Sequence, residues 1–285
     1  YRGDIEGLED IAEEVARFYG FEKIPNRPLA GIADGRLTPL QHFEKLICGT
    51  LLACGLNEVQ TYSFISPKAY DKIALATDSP LRDSVVIINP LGEDTSVMRT
   101  TALPSMLDVV ARNLNFKNDE ASFFELATVY YPLGFDRLPQ EKQRLVLGMY
   151  GPQNDFYALK GVVEAVMKAA GIRQYEISPA DDNPSYHPGR CAKLTLSGKL
   201  LACFGEVHPA VLTRCSIEQR VCCADIDFDA LFANRNLNKA YQPLPKYPAA
   251  ERDLALICDK NTPSAVLADA IQAAAGPLLE SIRRF

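Results

Sequence analysis

The chain has 285 residues, 47% of them hydrophobic and 23% charged, which is the balance of a folded globular protein rather than a disordered one. Its formal net charge of −6 argues against a broad basic surface of the kind that grips nucleic acid. No apolar run approaches bilayer length and no signal peptide opens the chain.

The chain begins Tyr1-Arg2-Gly3-Asp4 without a Met and stops just after an apolar segment, so both ends read as cut. Leu8, Ile11, Val15 and Phe18 recur at helical spacing, which predicts a helix over 8–19 ended by Gly20. A stretch rich in Pro, Gly and Asn follows to about residue 36. Thr38-Pro39 then fits an N-cap and first helical position, opening a helix to about Ala53 with Phe43, Leu46, Ile47, Leu51 and Leu52 on its apolar side. Residues 58–65 alternate and read as a strand, and Val85-Val86-Ile87-Ile88 as another. A helix is predicted over 103–114, strands over 121–131 and 144–150, and a helix over 156–170 with Asp155 as its N-cap. Short strands at 192–197, 200–206 and 221–227 have hairpin spacing, so the fold class is α+β with a mainly antiparallel sheet. A second Pro- and Asn-rich linker covers 234–248. Beyond it come a strand at 252–258 and a helix from Thr262-Pro263 to about Ala275, too little to close a core.

Eight cysteines include no C-x-x-C pair, and most have apolar neighbours. That favours thiols packed as small hydrophobes in a reducing cytoplasm, without disulfides or zinc. Six acids crowd the N-terminus, and Asp10, Glu13 and Glu14 share a helix face onto which Asp4 can fold back. Hard oxygen donors of this kind suit Mg²⁺, although one Mg²⁺ uses only one or two protein carboxylates directly. The competing reading is ordinary: acids complement the helix dipole, and Glu13 can pair with Arg17. His187-Pro188-Gly189-Arg190 and Gly205-Glu206-Val207-His208-Pro209 each set a His beside a charge, but no third residue completes a triad. Turns fixed by Pro and Gly are the simpler account. Lys160 is a solvated helix residue or an anion ligand. There is no P-loop, dinucleotide fingerprint or G-x-S-x-G string.

Read together, the strings resemble one family. Glu9-Asp10-Ile11-Ala12-Glu13-Glu14-Val15-Ala16-Arg17-Phe18-Tyr19-Gly20-Phe21 with Ile24-Pro25, Gly55-Leu56-Asn57-Glu58-Val59, Asn89-Pro90-Leu91-Gly92 and Met98-Arg99-Thr100-Thr101-Ala102-Leu103-Pro104 are similar to the phenylalanyl-tRNA synthetase beta subunit. The order continues through Phe124-Glu125, Asp155-Phe156 with Lys160-Gly161, the two His strings, and Tyr247-Pro248 with Arg252-Asp253-Leu254-Ala255. The resemblance implies a class II aminoacyl-tRNA synthetase-like antiparallel sheet flanked by helices, with partial domains at both ends. Residues 1–28 would end a small helical or winged-type domain, and 36–233 would form a catalytic-like but inactive core. Residues 234–248 would link it to 249–285, the truncated start of a ferredoxin-like anticodon-binding domain.

The same resemblance implies no catalytic or cofactor-binding residue in this chain. Class II chemistry places an arginine on the ATP phosphate from a strand of the form Arg-x-Glu, because phosphoryl oxygens need a positive donor. Here that strand reads Phe124-Glu125-Leu126-Ala127-Thr128, and 221–237 lacks the Gly of the late motif. Ala127-Thr128 also departs from the commoner Gly-Arg. ATP would bind only the alpha subunit, the partner in an (αβ)₂ tetramer that acts on tRNA(Phe). A Mg²⁺ shared with alpha would take Asp4, Asp10, Glu13 and Glu14, and the editing region would lie outside the chain. An active ligase and a free-standing binding module on the same fold are the alternatives.

Overall fold

The computed structural model describes residues 2–27, 31, 35–134, 137–238, 240, 241, 243, 244, 246–260 and 262–283. The first predicted linker, with the boundary at residue 28, lies largely outside them. The chain divides into two units, Tyr1–Asn238 and Lys239–Phe285.

Helix α1 runs Leu8–Tyr19 and ends at Gly20, whose φ of +101° only glycine adopts without strain. It buries none of its residues, so the stripe of Leu8, Ile11, Val15 and Phe18 is uncovered. Helix α2, Pro39–Ala53, opens with a reciprocal cap: Thr38 Oγ1 accepts Gln41 N–H at 3.2 Å and Gln41 Oε1 accepts Thr38 N–H at 2.9 Å. It buries Phe43, Ile47 and Leu51, while Leu46 and Leu52 stay outside a narrower stripe than the sequence predicts.

The single strand predicted at 58–65 is instead two short ones, β1 (Asn57–Glu58) and β2 (Phe64–Ile65). Between them Val59 N–H reaches Phe124 O, and the Glu125 carboxylate captures Thr61, which pulls the chain out of strand pairing. After α3 (Ala69–Lys72), the predicted strand at 85–88 makes only one bridge, Val86 to Val97 of β3 (Val97–Met98). Helix α4 (Leu103–Asn115) leads to β4 (Ala121–Tyr131) and β5 (Gln140–Tyr150), which starts four residues earlier than predicted because Tyr130 and Tyr131 carry the pairing on to Glu141 and Gln140.

Helix α5 (Phe156–Ala169) is capped by Asp155 as predicted. Strand β6 (Glu176–Pro179) was not legible in the sequence, and β7 (Tyr186–Leu196) begins well before residue 192. His187-Pro188-Gly189-Arg190 is therefore inside a strand, where a register shift between Tyr186 and Cys191 absorbs Pro188 and the φ of +91° at Gly189. Strand β8 (Lys199–Val207), α6 (Pro209–Arg214), β9 (Val221–Asp227) and α7 (Phe228–Ala233) complete this unit.

Among the described residues seven strands form one sheet in the order β1-β4-β5-β9-β8-β7-β6, parallel only at β1–β4, with β2–β3 as a separate ribbon. Alternate side chains enter two cores. One lies under α2, α5 and α7 and holds Phe124, Leu147, Phe204, Ala224 and Ile226. The other lies under α4 and α6 and holds Phe123, Ala127, Val146, Tyr150, Val207 and Cys223. Packing on that second side is tight: a Cβ at Gly148 would sit 2.7 Å from Met106 Cγ. All eight cysteines are free; Cys191, Cys215, Cys222 and Cys223 are buried, and Cys54 and Cys258 are exposed.

The second unit contains helix α8 (Ser264–Ala275), which begins one residue after Pro263. The strand predicted at 252–258 is absent; Leu254 and Ile257 are exposed there, and the described residues of this unit include no strand to complete a ladder.

Candidate functional site

The four N-terminal carboxylates do not converge on one point. Arg2 holds Asp4 through Nε–Oδ1 at 2.8 Å and Nη2–Oδ2 at 2.7 Å, and reaches Glu14 Oε1 at 2.9 Å. Arg17 holds the other oxygen of Glu14 at 2.6 Å. Asp10 turns back on the helix start and accepts N–H bonds from Gly7 at 2.8 Å and Glu6 at 2.9 Å. Glu13 is exposed. Among the described residues no three His, Cys, Asp or Glu side chains converge as a metal site. Asp4 and Glu14 nevertheless share one cation, the Arg2 guanidinium. Their hard carboxylate oxygens are donors of the type Mg²⁺ accepts, and here they hold the chain's own arginine.

The N–H groups of Gly7 and, second, Glu6 hold the Asp10 carboxyl below the ordinary carboxylate range. A depressed folded-state pKa stabilises above the unfolded value, and the contribution disappears as pH falls through the folded one. The start of α1 is therefore expected to stay capped down to the ordinary carboxylate range and to fray only below it. The Gly7 amide shift followed through an acid titration checks this, and a midpoint at the value of a free aspartate would contradict it.

Strand β4 carries no free functional group at Glu125. This residue is buried, and its Oε1 accepts Arg99 Nη2 at 2.9 Å, with Arg99 itself only 2% exposed. Arg99 also donates to Thr128 O at 3.0 Å and to Thr61 Oγ1 at 2.6 Å, and Thr61 Oγ1 donates to Glu125 Oε2 at 2.7 Å. The charges and hydrogen bonds close on themselves. Sequence reasoning missed this pair; its one signal was an arginine set in the run Val97-Met98-Arg99-Thr100-Thr101-Ala102, where no surface face is evident.

Apolar side chains flank the β2–β3 ribbon without cover. Tyr62 precedes β2, Val86 bridges to β3, and Ile88 and Leu91 follow on the same segment; all four are exposed.

Three strings that the sequence singles out meet at one cavity of about 520 Å³, on the α5 side of the sheet. Asp155, Phe156 and Lys160 come from the start of α5, Gly189 and Arg190 from β7, and Glu206 from β8. Arg190 Nη1 grips both oxygens of buried Glu206, at 2.9 and 2.8 Å. Gly205 makes this possible, since a Cβ there would lie 2.4 Å from Arg190 O and force the strands apart. Asp155 Oδ1 accepts the N–H groups of Tyr157 and Ala158, both at 2.9 Å, and Lys160 reaches Glu164 at 2.5 Å. Burial, aided by the Glu206 and Asp155 carboxylates, pushes the Cys222 thiol in the wall up to about 12. The histidines of the two strings are elsewhere. His208 caps α6 by accepting Ala210 N–H, and His187 Nδ1 lies 2.7 Å from Pro188 O. Arg220, just ahead of β9, and the β6 residues Ser178 and Pro179 complete the cavity and carried no signal in the sequence.

The sequence profile of the family described as "Phenylalanyl tRNA synthetase beta chain CLM domain" matches residues 24–228. The phenylalanine–tRNA ligase beta subunit of Clostridium acetobutylicum is 39% identical over 288 aligned positions, covering all of this chain and 36% of that protein. The proteins of the same name from Clostridium tetani and Moorella thermoacetica are 38% and 37% identical, again over the whole of this chain. The chain thus spans a little over a third of the length of the curated relatives it matches. In fold it is similar to a crystal structure of pyrrolysyl-tRNA synthetase from Desulfitobacterium hafniense, with a TM-score of 0.56 and 17% identity over 78% of this chain and 75% of that one.

Proposed function

This chain belongs to the phenylalanyl-tRNA synthetase beta-chain family, and we propose that it serves as the non-catalytic, scaffolding part of a phenylalanine–tRNA ligase. In that reading an alpha subunit binds ATP and joins phenylalanine to tRNA, within an (αβ)₂ assembly in the cytoplasm. The observation that carries the reading is strand β4. Where adenylate chemistry needs an outward positive donor, the strand offers Glu125, which is buried and already neutralised by Arg99. The apolar side chains along the β2–β3 ribbon support a subunit contact, since obligate interfaces bury surfaces of this character. No described helix is long and apolar enough to cross a membrane.

Mg²⁺ at the joint with alpha is part of the proposal. Asp4, Asp10, Glu13 and Glu14 would hold it with ligands from the partner, and Arg2, which now pairs with Asp4 and Glu14, would have to release them. A bound Mg²⁺ supplies a compact divalent charge that couples assembly to metal concentration. Replacing Asp10 and Glu13 by alanine is expected to weaken alpha–beta assembly and flatten its Mg²⁺ dependence. Unchanged assembly would remove the metal from the reading.

The experiment for the whole proposal is co-purification of this chain with the alpha subunit of the same genome, followed by phenylalanylation assays on each sample. A stable complex and an inactive isolated chain are expected. Phenylalanine-dependent ATP–pyrophosphate exchange by the isolated chain would overturn it.

A further inference from the structure

The scaffold reading leaves the cavity at the head of α5 without a task. Its dimensions are those of a ligand site: about 520 Å³, within the range that encloses small organic molecules. The walls are largely apolar, from Pro152, Phe156, Ile177 and Pro179. Phe156 is a fixed flat surface, because Phe204 stacks against it at 5.7 Å with 17° between the ring planes.

The charges decide what such a ligand carries. Glu206 is matched by Arg190, Asp155 is committed to the first amides of α5, and Lys160 lies against Glu164. Arg220 is exposed and has no hydrogen-bond or ion-pair partner among the described residues. The cavity therefore presents one uncommitted positive charge at its edge, since the N-terminus of helix α5 is already capped by the Asp155 carboxylate. A dianion would exceed what the site neutralises, and a cation would be repelled.

We propose that this cavity binds a small aromatic carboxylate, its flat body along Phe156 and its single negative charge at Arg220. The Arg190–Glu206 pair then acts as a rigid floor that holds β7 and β8 in register beneath the ligand. The proposal stands on the cavity alone and holds whether or not the chain scaffolds a ligase.

The test is saturation-transfer NMR on this chain with naphthalene-2-carboxylate, 2-naphthalenemethanol as its neutral counterpart, acetate as a head without a body, and naphthyl phosphate as a dianion. The aromatic carboxylate is expected to bind most tightly. Loss of its charge, as in the alcohol, should weaken binding about tenfold or more. Arg220→Gln, on an exposed side chain, should leave the circular dichroism unchanged and produce a similar loss. Pro179→Trp, which sits opposite Ala192 on the α5-facing side of β6, fills the cavity and should abolish binding. No transfer at about 10 mM ligand, equal binding of the alcohol, tighter binding of the phosphate, or an unaffected Arg220→Gln variant would each overturn the proposal.

Discussion

Replacing Arg99 with alanine is expected to destabilise the chain by about 3–5 kcal/mol, because it leaves a buried carboxylate without its cation. Arg99 is 2% exposed and Glu125 3%, so water cannot take over the role of either partner. The loss extends past the ion pair. Thr61 Oγ1, which accepts from Arg99 and donates to Glu125, and Thr128 O would each lose a partner as well. Thr61 lies between β1 and β2, Arg99 follows β3, and Glu125 sits in the middle of β4, so one guanidinium fixes three segments far apart in sequence. Urea unfolding followed by circular dichroism measures the effect. The double variant Arg99→Met with Glu125→Leu should recover much of it, since removing both charges also removes the desolvation they carry. A loss below about 1 kcal/mol for Arg99→Ala would place the pair in solvent-like surroundings and contradict its burial.

Phe204→Ala is expected to cost about 3–5 kcal/mol, at the upper end of core truncations. The cost of a cavity depends on whether neighbours can collapse into it. Phe204 pairs across the sheet with Ala192 of β7 on one side and Ala224 of β9 on the other, so the flanking side chains are too short to fill the space. Its ring also supports Phe156 from α5. Phe204→Leu should lose appreciably less, because a leucine retains most of the volume. Equal losses for the two variants would show that the aromatic stack, rather than the volume, is what matters. The measurement is again the unfolding midpoint, with α5 helicity as a second readout.

Local chemistry made much of this fold legible. Thr38 with Pro39, and Asp155, announce helix starts because a cap needs only residues within one turn. Features that depend on a distant partner were not legible. The interruption at Thr61 is caused by a carboxylate 64 positions later, and the strand at His187–Arg190 exists because β8 lies alongside with a glycine at 205. Strand β6 is an edge strand held only by β7, with little pattern of its own. At 252–258 the error ran the other way: the apolar run from Leu254 to Cys258 was real, but the described residues of the second unit include no strand to pair with it. Helical spacing sets the acids of α1 near one another in sequence, but their immediate partners, Arg2 and the backbone N–H groups, were outside the pattern considered. The three strings that line the cavity were visible one by one, while their meeting point is a product of sheet register.

The packing of α4 against the sheet bears on reversibility. On the proposed non-catalytic reading, an arginine grafted onto β4 would add a charge but no room for a nucleotide, because the face bearing Phe123, Glu125 and Ala127 lies under Met106, Leu107 and Val110. Hollowing out that face means truncating core side chains at roughly 2–5 kcal/mol each, and a domain's entire margin is only about 5–15 kcal/mol. On that reading, every step toward adenylate chemistry would have to be survived before such chemistry appeared. The filled face works as a ratchet, and a sheet packed this way can gain partners far more easily than it can gain a reaction.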